Sequence, residues 1–392
     1  MTGRIWISDV TPRPAGGEHP AKAVVGEWIP ISALAFREGH DAIGCQVNWR
    51  GPDGAAHPPQ RMTQVPGGDG WAATIRPDAV GMWTFTVSAF ADPYLTWRSA
   101  AMKKMEAGQG ARELANDLAV GAAILDRATD LVAADRVADV KEAAAALRDR
   151  SLPLAGRVFP ALDLTELMWA NPVQELVTTT KPARIWVDRK RALFSAWYEF
   201  FPRSEGATVD RQGRPITHGT FATAAQRLPG VAAMGFDVVY LPPIHPIGKV
   251  NRKGRNNALV ARPDDVGSPW AIGSAEGGHD AIHPKLGTIE DFRAFVKKAR
   301  AEGLEVALDL ALQCAPDHPW VTDHPQWFTT LPDGTIAYAE NPPKKYQDIY
   351  PLNFDNDPEG LRGEILRVVL RWVAQGVKIF RVDNPHTKPV DF

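Results

Sequence analysis

Cysteine is scarce in this sequence, and long apolar runs and an excess of one charge are lacking. Cys45 and Cys314 are the only two cysteines in 392 residues. They lie far apart and match no metal-ligand spacing, which argues against a disulfide framework and a zinc site. No apolar run is long enough to cross a bilayer. The 44 Lys and Arg oppose 46 Asp and Glu, so a general polyanion binder is not expected. We expect a cytoplasmic protein.

Length and composition favour a multidomain globular protein. At about 100–200 residues per domain, 392 residues suggest two or three domains. Apolar residues make up 44% of the chain, which is enough for a core in each domain. The 13 tryptophans suit surfaces that stack on sugars, although tryptophan most often packs in cores.

The first half of the chain changes from a strand pattern to a helical pattern. In Met82–Phe90, apolar and polar residues alternate, which predicts a strand with one buried face. Turn-rich segments surround it, so residues 1–98 predict a β-sandwich. Residues 99–177 have apolar residues at helical spacing and predict an inserted helical domain. Ala183–Asp188 looks like a strand, and residues 178–190 could rejoin the sandwich.

From about residue 191, continuous apolar strands alternate with helices, which predicts a parallel sheet. A long insertion at about 313–354 follows the third strand, and loops of that length are usually functional. The predicted strands are 195–201, 237–241, 305–312 and 378–383, and the predicted helices are 221–234, 289–302 and 361–375.

The segment Phe380–His386 carries the candidate chemistry. Arg381 and Asp383 are two residues apart on a strand, so both should point to one face, with Phe380 and Val382 towards an outer helix layer. An aspartate at the carboxyl end of a strand is where a (β/α)8 barrel places catalytic residues, and Arg381 would keep it ionised. A structural ion pair at the strand end explains the spacing equally well.

Longer motifs favour the catalytic interpretation. Arg381-Val382-Asp383 resembles the nucleophile motif of the α-amylase family, while Asp309 opens a segment similar to that family's third-strand motif. Gln313-Cys314 and Gly278-His279 depart from the usual α-amylase pattern. Together with those departures, the segments 197–204, 251–257, 315–320 and 341–351 resemble the α-1,4-glucan:maltose-1-phosphate maltosyltransferases over the whole chain.

That resemblance implies a fold and an activity. The fold is an N-terminal Ig-like β-sandwich with an inserted α-helical domain, followed by the first half of a (β/α)8 barrel in residues 191–392. The activity is retaining transfer of maltosyl units from α-maltose 1-phosphate to the non-reducing end of α-1,4-glucans, through a covalent enzyme intermediate. A homodimer through the sandwich and the inserted helices is implied, with no cofactor, no nucleic acid and no membrane.

The resemblance also implies roles for particular residues. Asp383 is the nucleophile and Arg381 its partner at the catalytic centre. The other implied contacts are with the donor sugar, from Lys253, Trp270 and Gln313, and with the phosphate, from Asn341, Lys344, Tyr346 and Asn384. Without the resemblance, the Lys344-Lys345 pair would more simply be a solvated charge pair. His245, His279 and His283 have irregular spacing, so no metal site is expected.

Retaining chemistry needs a second carboxylate about 5–5.5 Å from the nucleophile. In the family that acid closes the fifth strand, whereas only Asp391 follows Asp383 among these residues and it matches no motif. We therefore expect the 392-residue chain to be inactive by itself. A maltooligosaccharide hydrolase and a non-catalytic carbohydrate-binding or assembly fragment are the alternatives.

Overall fold

The computed structural model describes residues 3–14 and 16–392. The chain forms two compact units, Met1–Leu193 and Phe194–Phe392. The first unit is mostly β and the second contains a short parallel sheet, which confirms the expectation of a multidomain chain with a β-rich N-terminal region. Over the described residues, no helix has both the length and the apolar character needed to cross a membrane.

Nine strands of the described first unit join in one hydrogen-bonded sheet. They are β1 (Trp6–Thr11), β2 (Ala21–Val24), β3 (Ile29–Phe36), β4 (Ile43–Arg50), β5 (Gln60–Gln64), β6 (Gly70–Ile75), β7 (Gly81–Ala91), β8 (Glu175–Thr179) and β9 (Ala183–Asp188). The pairing order is β1-β3-β6-β5-β4-β7-β9-β2, and β8 also pairs with β7. Every pair is antiparallel except β2–β9.

The alternation in β7 produces the core of this sheet. Trp83, Phe85 and Val87 are buried, while Thr84 and Thr86 between them are partly exposed. Residues of β1 and β2, the strands at the two ends of the pairing order, contact the same apolar cluster. The sheet therefore encloses one core. Burying each large side chain contributes roughly 1.5–3 kcal/mol, which explains why the period-two pattern specifies the register.

Helices of the first unit lie between β7 and β8 in sequence. They are α1 (Pro93–Glu106), α2 (Ala115–Ala128), α3 (Val137–Arg148), α4 (Leu154–Leu162) and α5 (Thr165–Ala170). They share an apolar cluster of their own, in which Tyr94 donates a hydrogen bond from its hydroxyl to the carbonyl of Ala161 at 2.7 Å. Strand β9 then pairs with β7 and β2 of the sheet.

The helices begin earlier than the composition predicted. We expected them from residue 99, but α1 starts at Pro93 because Asp92 caps it, accepting a hydrogen bond from the Leu95 backbone N–H at 2.9 Å. Proline suits the first helical turn, since its missing N–H would have no partner there. The helices end at Ala170, and residues 175–179 already form β8 rather than helix.

The second unit is built around four parallel strands, which are the first, fourth, fifth and last of its ten strands and pair in that order. Its strands are β10 (Trp197–Glu199), β11 (Thr208–Val209), β12 (Pro215–Thr217), β13 (Val238–Leu241), β14 (Glu305–Leu310), β15 (Gln313–Cys314), β16 (Ala339–Asn341), β17 (Lys344–Tyr346), β18 (Tyr350–Pro351) and β19 (Ile379–Val382). Its helices are α6 (Phe221–Ala224), α7 (Leu228–Ala233), α8 (Ile289–Ala301), α9 (Pro319–Asp323) and α10 (Pro358–Ala374). Helices α6, α7, α8 and α10 contribute residues to one large apolar cluster with the strands.

Three sequence predictions in this unit need correction. The helix predicted over 221–234 is two short helices, α6 and α7, and Pro229 occupies the first turn of the second. The strand predicted over 305–312 ends at Leu310, where the chain bends towards β15. Val382 was expected to face an outer helix layer, but it is 42% exposed, whereas Phe380 packs against the core.

The long segment after β14 is not irregular throughout. Strands β15 and β18 pair antiparallel, and β16 and β17 form a hairpin in which Asn341 lies opposite Lys344. Helix α10 then begins at Pro358, where Asp357 accepts a hydrogen bond from the Gly360 backbone N–H at 3.0 Å. The insertion therefore has its own local structure, and the hairpin carries three of the sequence-predicted site residues, Asn341, Lys344 and Tyr346.

Candidate active site

The carboxyl ends of β14 and β19 bring the candidate catalytic residues together. Asp309 lies opposite Arg381 in the parallel pair, and Asp383 follows one residue after β19. The backbone N–H of Asp383 donates to the carbonyl of Leu310 at 3.1 Å, which continues the pairing past the end of the strand. Arg381 and Asp383 therefore project to the same face, as their spacing predicts.

Arg381 links two carboxylates through a single nitrogen. Its Nη1 donates to Oδ1 of Asp383 at 2.7 Å and to Oδ2 of Asp309 at 3.3 Å. Tyr240, on β13, also donates its hydroxyl to Oδ2 of Asp309. The guanidinium carbon lies 5.8 Å from the centre of the Tyr240 ring, within reach of a cation–π contact. The hydrogen bond to Asp383 raises the pKa of Arg381, so the guanidinium stays charged.

The two aspartates differ in their surroundings. Asp309 is 4% exposed, and burial raises its pKa to about 6 despite the Tyr240 hydroxyl and the Arg381 charge. Its Oδ1 is buried and makes no hydrogen bond of ordinary geometry within the described residues, although the Trp270 side chain lies close enough to lower the pKa of this carboxyl. Asp383 is partly exposed and receives a second hydrogen bond, from Nδ2 of Asn384 at 3.1 Å. Asp383 is therefore the oriented and accessible carboxylate, and Asp309 is the buried one.

Asn384 adopts a left-handed backbone conformation, with φ 46° and ψ 55°. Asparagine tolerates this region better than most residues because its short side chain can bond locally. Here that side chain bonds to Asp383, its neighbour in the chain. The turn after β19 thus supports the orientation of the carboxylate.

The predicted sugar-binding residues form two further groups. Gln313 donates from Nε2 to the carbonyl of Trp270 at 3.2 Å, and the Trp270 ring packs edge-on against Phe201 at 6.2 Å. Lys253 is buried and donates from Nζ to Oε1 of Gln347 at 2.6 Å. Each residue is therefore fixed in position by one neighbour.

A cavity of about 490 Å³ brings Lys253 and Tyr346 together, with Asp348 also in its wall. Asn341 and Lys344 do not line that cavity. They lie on the same hairpin as Tyr346 with exposed side chains, which make no side-chain hydrogen bond within residues 3–14 and 16–392. The hairpin thus presents free donors next to the cavity.

Sequence reasoning missed Tyr240 and Gln347. Tyr240 lies inside an apolar strand, where a side chain with a polar tip signals a buried hydrogen bond, so the pattern could have indicated it. Gln347 carries no comparable signal, because its partner Lys253 is 94 residues away in the sequence.

One group of side chains in the described structure has the composition of a metal site, His279, Cys314 and His318. Hydrogen bonds, however, account for every ring nitrogen. The Trp320 backbone N–H donates to Nδ1 of His318 at 3.0 Å, so Nε2 of that ring carries the proton and donates to Nδ1 of His279 at 3.1 Å. Nε2 of His279 then donates to the carbonyl of Ala311 at 2.8 Å. A metal-bound histidine normally donates from its other nitrogen, which His318 cannot do, so we assign no metal here.

The sequence is similar to that of known enzymes. Residues 3–189 match the family model described as alpha-1,4-glucan:maltose-1-phosphate maltosyltransferase, domain N/S. Proteins of that name are 55% identical over the whole of this chain in Mycolicibacterium smegmatis, and 54% identical in Corynebacterium pseudotuberculosis. Over its whole length the chain is similar to the α-1,4-glucan:maltose-1-phosphate maltosyltransferases. It spans 60% and 58% of the length of those two relatives.

Two solved structures match about half of the chain. An α-amylase from Lactobacillus plantarum is 30% identical over 50% of this chain and 40% of its own, with a TM-score of 0.39. A cyclic α-maltosyl-(1→6)-maltose hydrolase from Arthrobacter globiformis is 20% identical over 49% of this chain and 44% of its own, with a TM-score of 0.36.

We predict that Asp309→Asn changes how the stability of this protein depends on pH. The folded pKa is about 6 against 3.8 unfolded, so between these values the folded state keeps a proton that the unfolded state has lost. The stability contributed by Asp309 is therefore present at low pH and lost as pH rises through 6. The free energy of unfolding of the wild type, minus that of Asp309→Asn, should fall by about 2 kcal/mol from pH 4 to pH 7.

Urea unfolding at intervals across that range measures this difference. Asp323→Asn, at an exposed carboxylate of α9, is the matched control. A difference between wild type and Asp309→Asn that stays constant with pH would show that Asp309 keeps its ordinary pKa in the folded state.

Proposed function

We propose that the protein containing this chain transfers maltosyl units from α-maltose 1-phosphate to the non-reducing end of α-1,4-glucans, with retention and through a covalent enzyme intermediate. The observation that carries this proposal is the accessible carboxylate of Asp383, oriented by Arg381 and Asn384 at the carboxyl end of β19. The similarity to the maltosyltransferases supplies the donor and the acceptor. No cofactor enters the proposed reaction.

In the proposed reaction Asp383 attacks the anomeric carbon and forms a maltosyl ester as the phosphate leaves. The Arg381 guanidinium donates to this carboxylate at 2.7 Å and orients it. Asp309 is a positioning residue. It is buried, and its Oδ2 is occupied by Tyr240 and Arg381, so it holds Arg381 in place rather than reaching a substrate.

We assign the donor sugar to Lys253, Trp270 and Gln313. The buried ammonium of Lys253 lines the cavity of about 490 Å³, where hydroxyl groups could accept its remaining protons. Gln313 donates to the backbone carbonyl of Trp270, and the Trp270 ring packs edge-on against Phe201, which positions it for contact with a sugar face.

The leaving phosphate is assigned to Asn341, Lys344, Tyr346 and Asn384. Three of them lie on the exposed β16–β17 hairpin and offer an amide, an ammonium and a phenol. Charge-assisted donors of this kind suit a phosphate dianion, which a hydrolase of neutral oligosaccharides would not need. The hairpin therefore favours the transferase over the hydrolase.

We also propose a specific fold for each unit. We infer an Ig-like β-sandwich in residues 1–92 and 171–193, with the helices at 93–170 inserted. The four parallel strands in 194–392 correspond to the first half of a (β/α)8 barrel. Separate apolar clusters in the sheet and in the helices support these boundaries.

We also propose that the protein is a homodimer located in the cytoplasm. On the outer face of the sheet, Trp6 lies opposite Phe36 and they are 53% and 45% exposed, with Leu34 nearby at 40%. We call these three residues the outer apolar patch. Contiguous exposed apolar surface of this kind marks protein interfaces. Both cysteines are free thiols, which suits a reducing compartment.

We predict that Asp383→Ala abolishes maltosyl transfer in the full-length protein, by about 10³-fold or more, because no ester can form. Phosphate release from α-maltose 1-phosphate measures this. Asp391→Ala is the control, since this exposed carboxylate lies eight positions further along the chain. A covalent maltosyl adduct on a different carboxylate, found by mass spectrometry, would refute the assignment.

Lys344→Ala in the full-length protein should raise the KM for α-maltose 1-phosphate by about 10- to 150-fold, the loss of one charge-assisted hydrogen bond. The KM for α-maltosyl fluoride, a neutral activated donor, should change far less. Lys345→Ala is the matched control, because successive residues of β17 point to opposite faces. Equal effects on both donors would mean that Lys344 does not contact the phosphate.

The outer apolar patch should hold the dimer together. Trp6→Lys combined with Phe36→Lys is expected to convert the dimer to a monomer, since two buried charges would face each other across the interface. Sedimentation velocity measures the change, and Leu366→Lys, at an exposed position of α10, is the control. A wild-type protein that sediments as a monomer contradicts the dimer.

A further inference from the structure

Three cationic side chains near the carboxyl ends of β10 and β13 have no carboxylate partner. Arg203, Arg252 and Lys285 form no ion pair within the described residues. Most other arginines of the second unit, such as Arg367, form ion pairs with aspartate or glutamate. Positive charge is therefore concentrated here without compensation.

Arg252 is fixed in place without being neutralised. Its guanidinium donates to three backbone carbonyls, those of Gly248 at 2.7 Å, Ile247 at 2.9 Å and Asp265 at 3.2 Å. A carbonyl satisfies an N–H but leaves the positive charge in place. Arg252 is consequently a rigid source of positive potential.

Arg203 is less satisfied still. Its Nη1 and Nη2 are both buried and have no hydrogen-bond partner in the described structure. Burial, and then the charge of Arg252, lower the pKa of Arg203 to about 10. Four N–H groups on these two nitrogens thus lack an acceptor, and a buried donor without an acceptor is destabilising.

Two histidines lie beside Arg203. The rings of His218 and His283 stack with centres 5.6 Å apart and planes 5° from parallel. Burial first, and then the Arg203 charge, lower the pKa of His283 to about 4; burial also lowers the pKa of His218. Both rings are therefore neutral near pH 7.

The two neutral rings present different atoms. Nδ1 of His218 donates to the carbonyl of Gly219 at 2.6 Å, so its Nε2 is an acceptor, and this atom is buried without a partner. Nδ1 of His283 accepts from the Lys285 backbone N–H at 3.2 Å, so its Nε2 carries a proton and is a donor. The pair thus offers one acceptor and one donor.

A cavity of about 290 Å³ is lined by both histidines, Arg252 and Lys285. The acidic residues in its wall are already paired. Glu276 binds Lys249 at 2.8 Å, and Asp264 and Asp265 each lie 3.4 Å from Arg255. The cations and carboxylates in the lining balance, so the excess positive charge around the cavity comes from Arg255 and Arg203, which lie outside the lining.

We propose that this cavity binds hydrogen phosphate, with Arg252, Lys285 and His283 facing its oxygens and His218 accepting its O–H. Arg203 lies beside the two histidines but outside the cavity lining, and it adds positive potential. A single water carries no charge, so it does not compensate these cations. Sulfate has the charge but carries no proton for His218 at neutral pH. A protonated phosphate matches both requirements.

This site is separate from the leaving-group site on the hairpin. Its cavity shares Asp264, Asp265 and Val266 with the larger cavity that contains Lys253 and Tyr346, but it includes no residue assigned above to the donor or its phosphate. The proposal concerns phosphate binding alone, so its test does not depend on the transfer reaction.

Histidine resonances in the NMR spectrum of the intact chain test the proposal. Orthophosphate should shift the Cε1–H signals of His218 and His283 and raise the pKa of His283 by about one unit, since a nearby anion favours the imidazolium. Orthophosphate should bind at least fivefold more tightly than sulfate. Glucose 1-phosphate, whose phosphate group is mostly unprotonated at pH 7, is the second control and should bind no more tightly than sulfate.

Arg203→Gln and Arg252→Gln should each weaken phosphate binding at this site at least tenfold. Lys344→Ala and Arg214→Gln, at exposed positions elsewhere in the second unit, should leave the two histidine shifts unchanged. Circular dichroism checks that the variants fold, and the wild-type titration decides the question even if one does not. Unchanged histidine signals up to about 20 mM phosphate, or equal affinities for sulfate and phosphate, would overturn the proposal.

Discussion

The candidate active site depends on the guanidinium of Arg381. One nitrogen donates both to the buried Asp309 and to the accessible Asp383. Removing that cation would leave the buried Asp309 with the Tyr240 hydroxyl and the Trp270 side chain as its donors, and would raise the pKa of this carboxyl further. It would also release Asp383 from one of its two hydrogen bonds. The charge of Asp309 and the orientation of Asp383 therefore rest on the same side chain.

The register of the parallel sheet makes this arrangement possible. Asp309 and Arg381 lie opposite each other, and Tyr240 comes from the next strand on the other side of β14. A slip of one residue would turn Arg381 to the opposite face, away from both carboxylates. The apolar residues that alternate with these polar ones, such as Leu308 and Phe380, pack on the other side and hold the register.

Two pairs of histidines in the second unit show how environment decides function. His318 and His279 form a closed hydrogen-bond chain that ends on the carbonyl of Ala311, just past β14, and burial lowers the pKa of His279 to about 3. That chain has no unused nitrogen, so it supports the bend towards β15. His218 and His283 instead leave an acceptor without a partner beside uncompensated cations. The second pair is therefore suited to a ligand and the first to a structural role.

The sequence by itself determined the strand alternation of β7, the strand Ala183–Asp188, and Arg381 and Asp383 on one face, because these depend on near neighbours in the chain. Only the tertiary structure decided which carboxylate is buried. Tyr240 and Asp309 are 69 residues apart, and Lys253 and Gln347 are 94 apart. The local pattern predicted that the helices start at residue 99, six residues after the observed start at Pro93. The cap at Asp92 was missed because it lies in a segment with strand-like composition. Burial and long-range pairing set charge states and partners, and no local pattern encodes them.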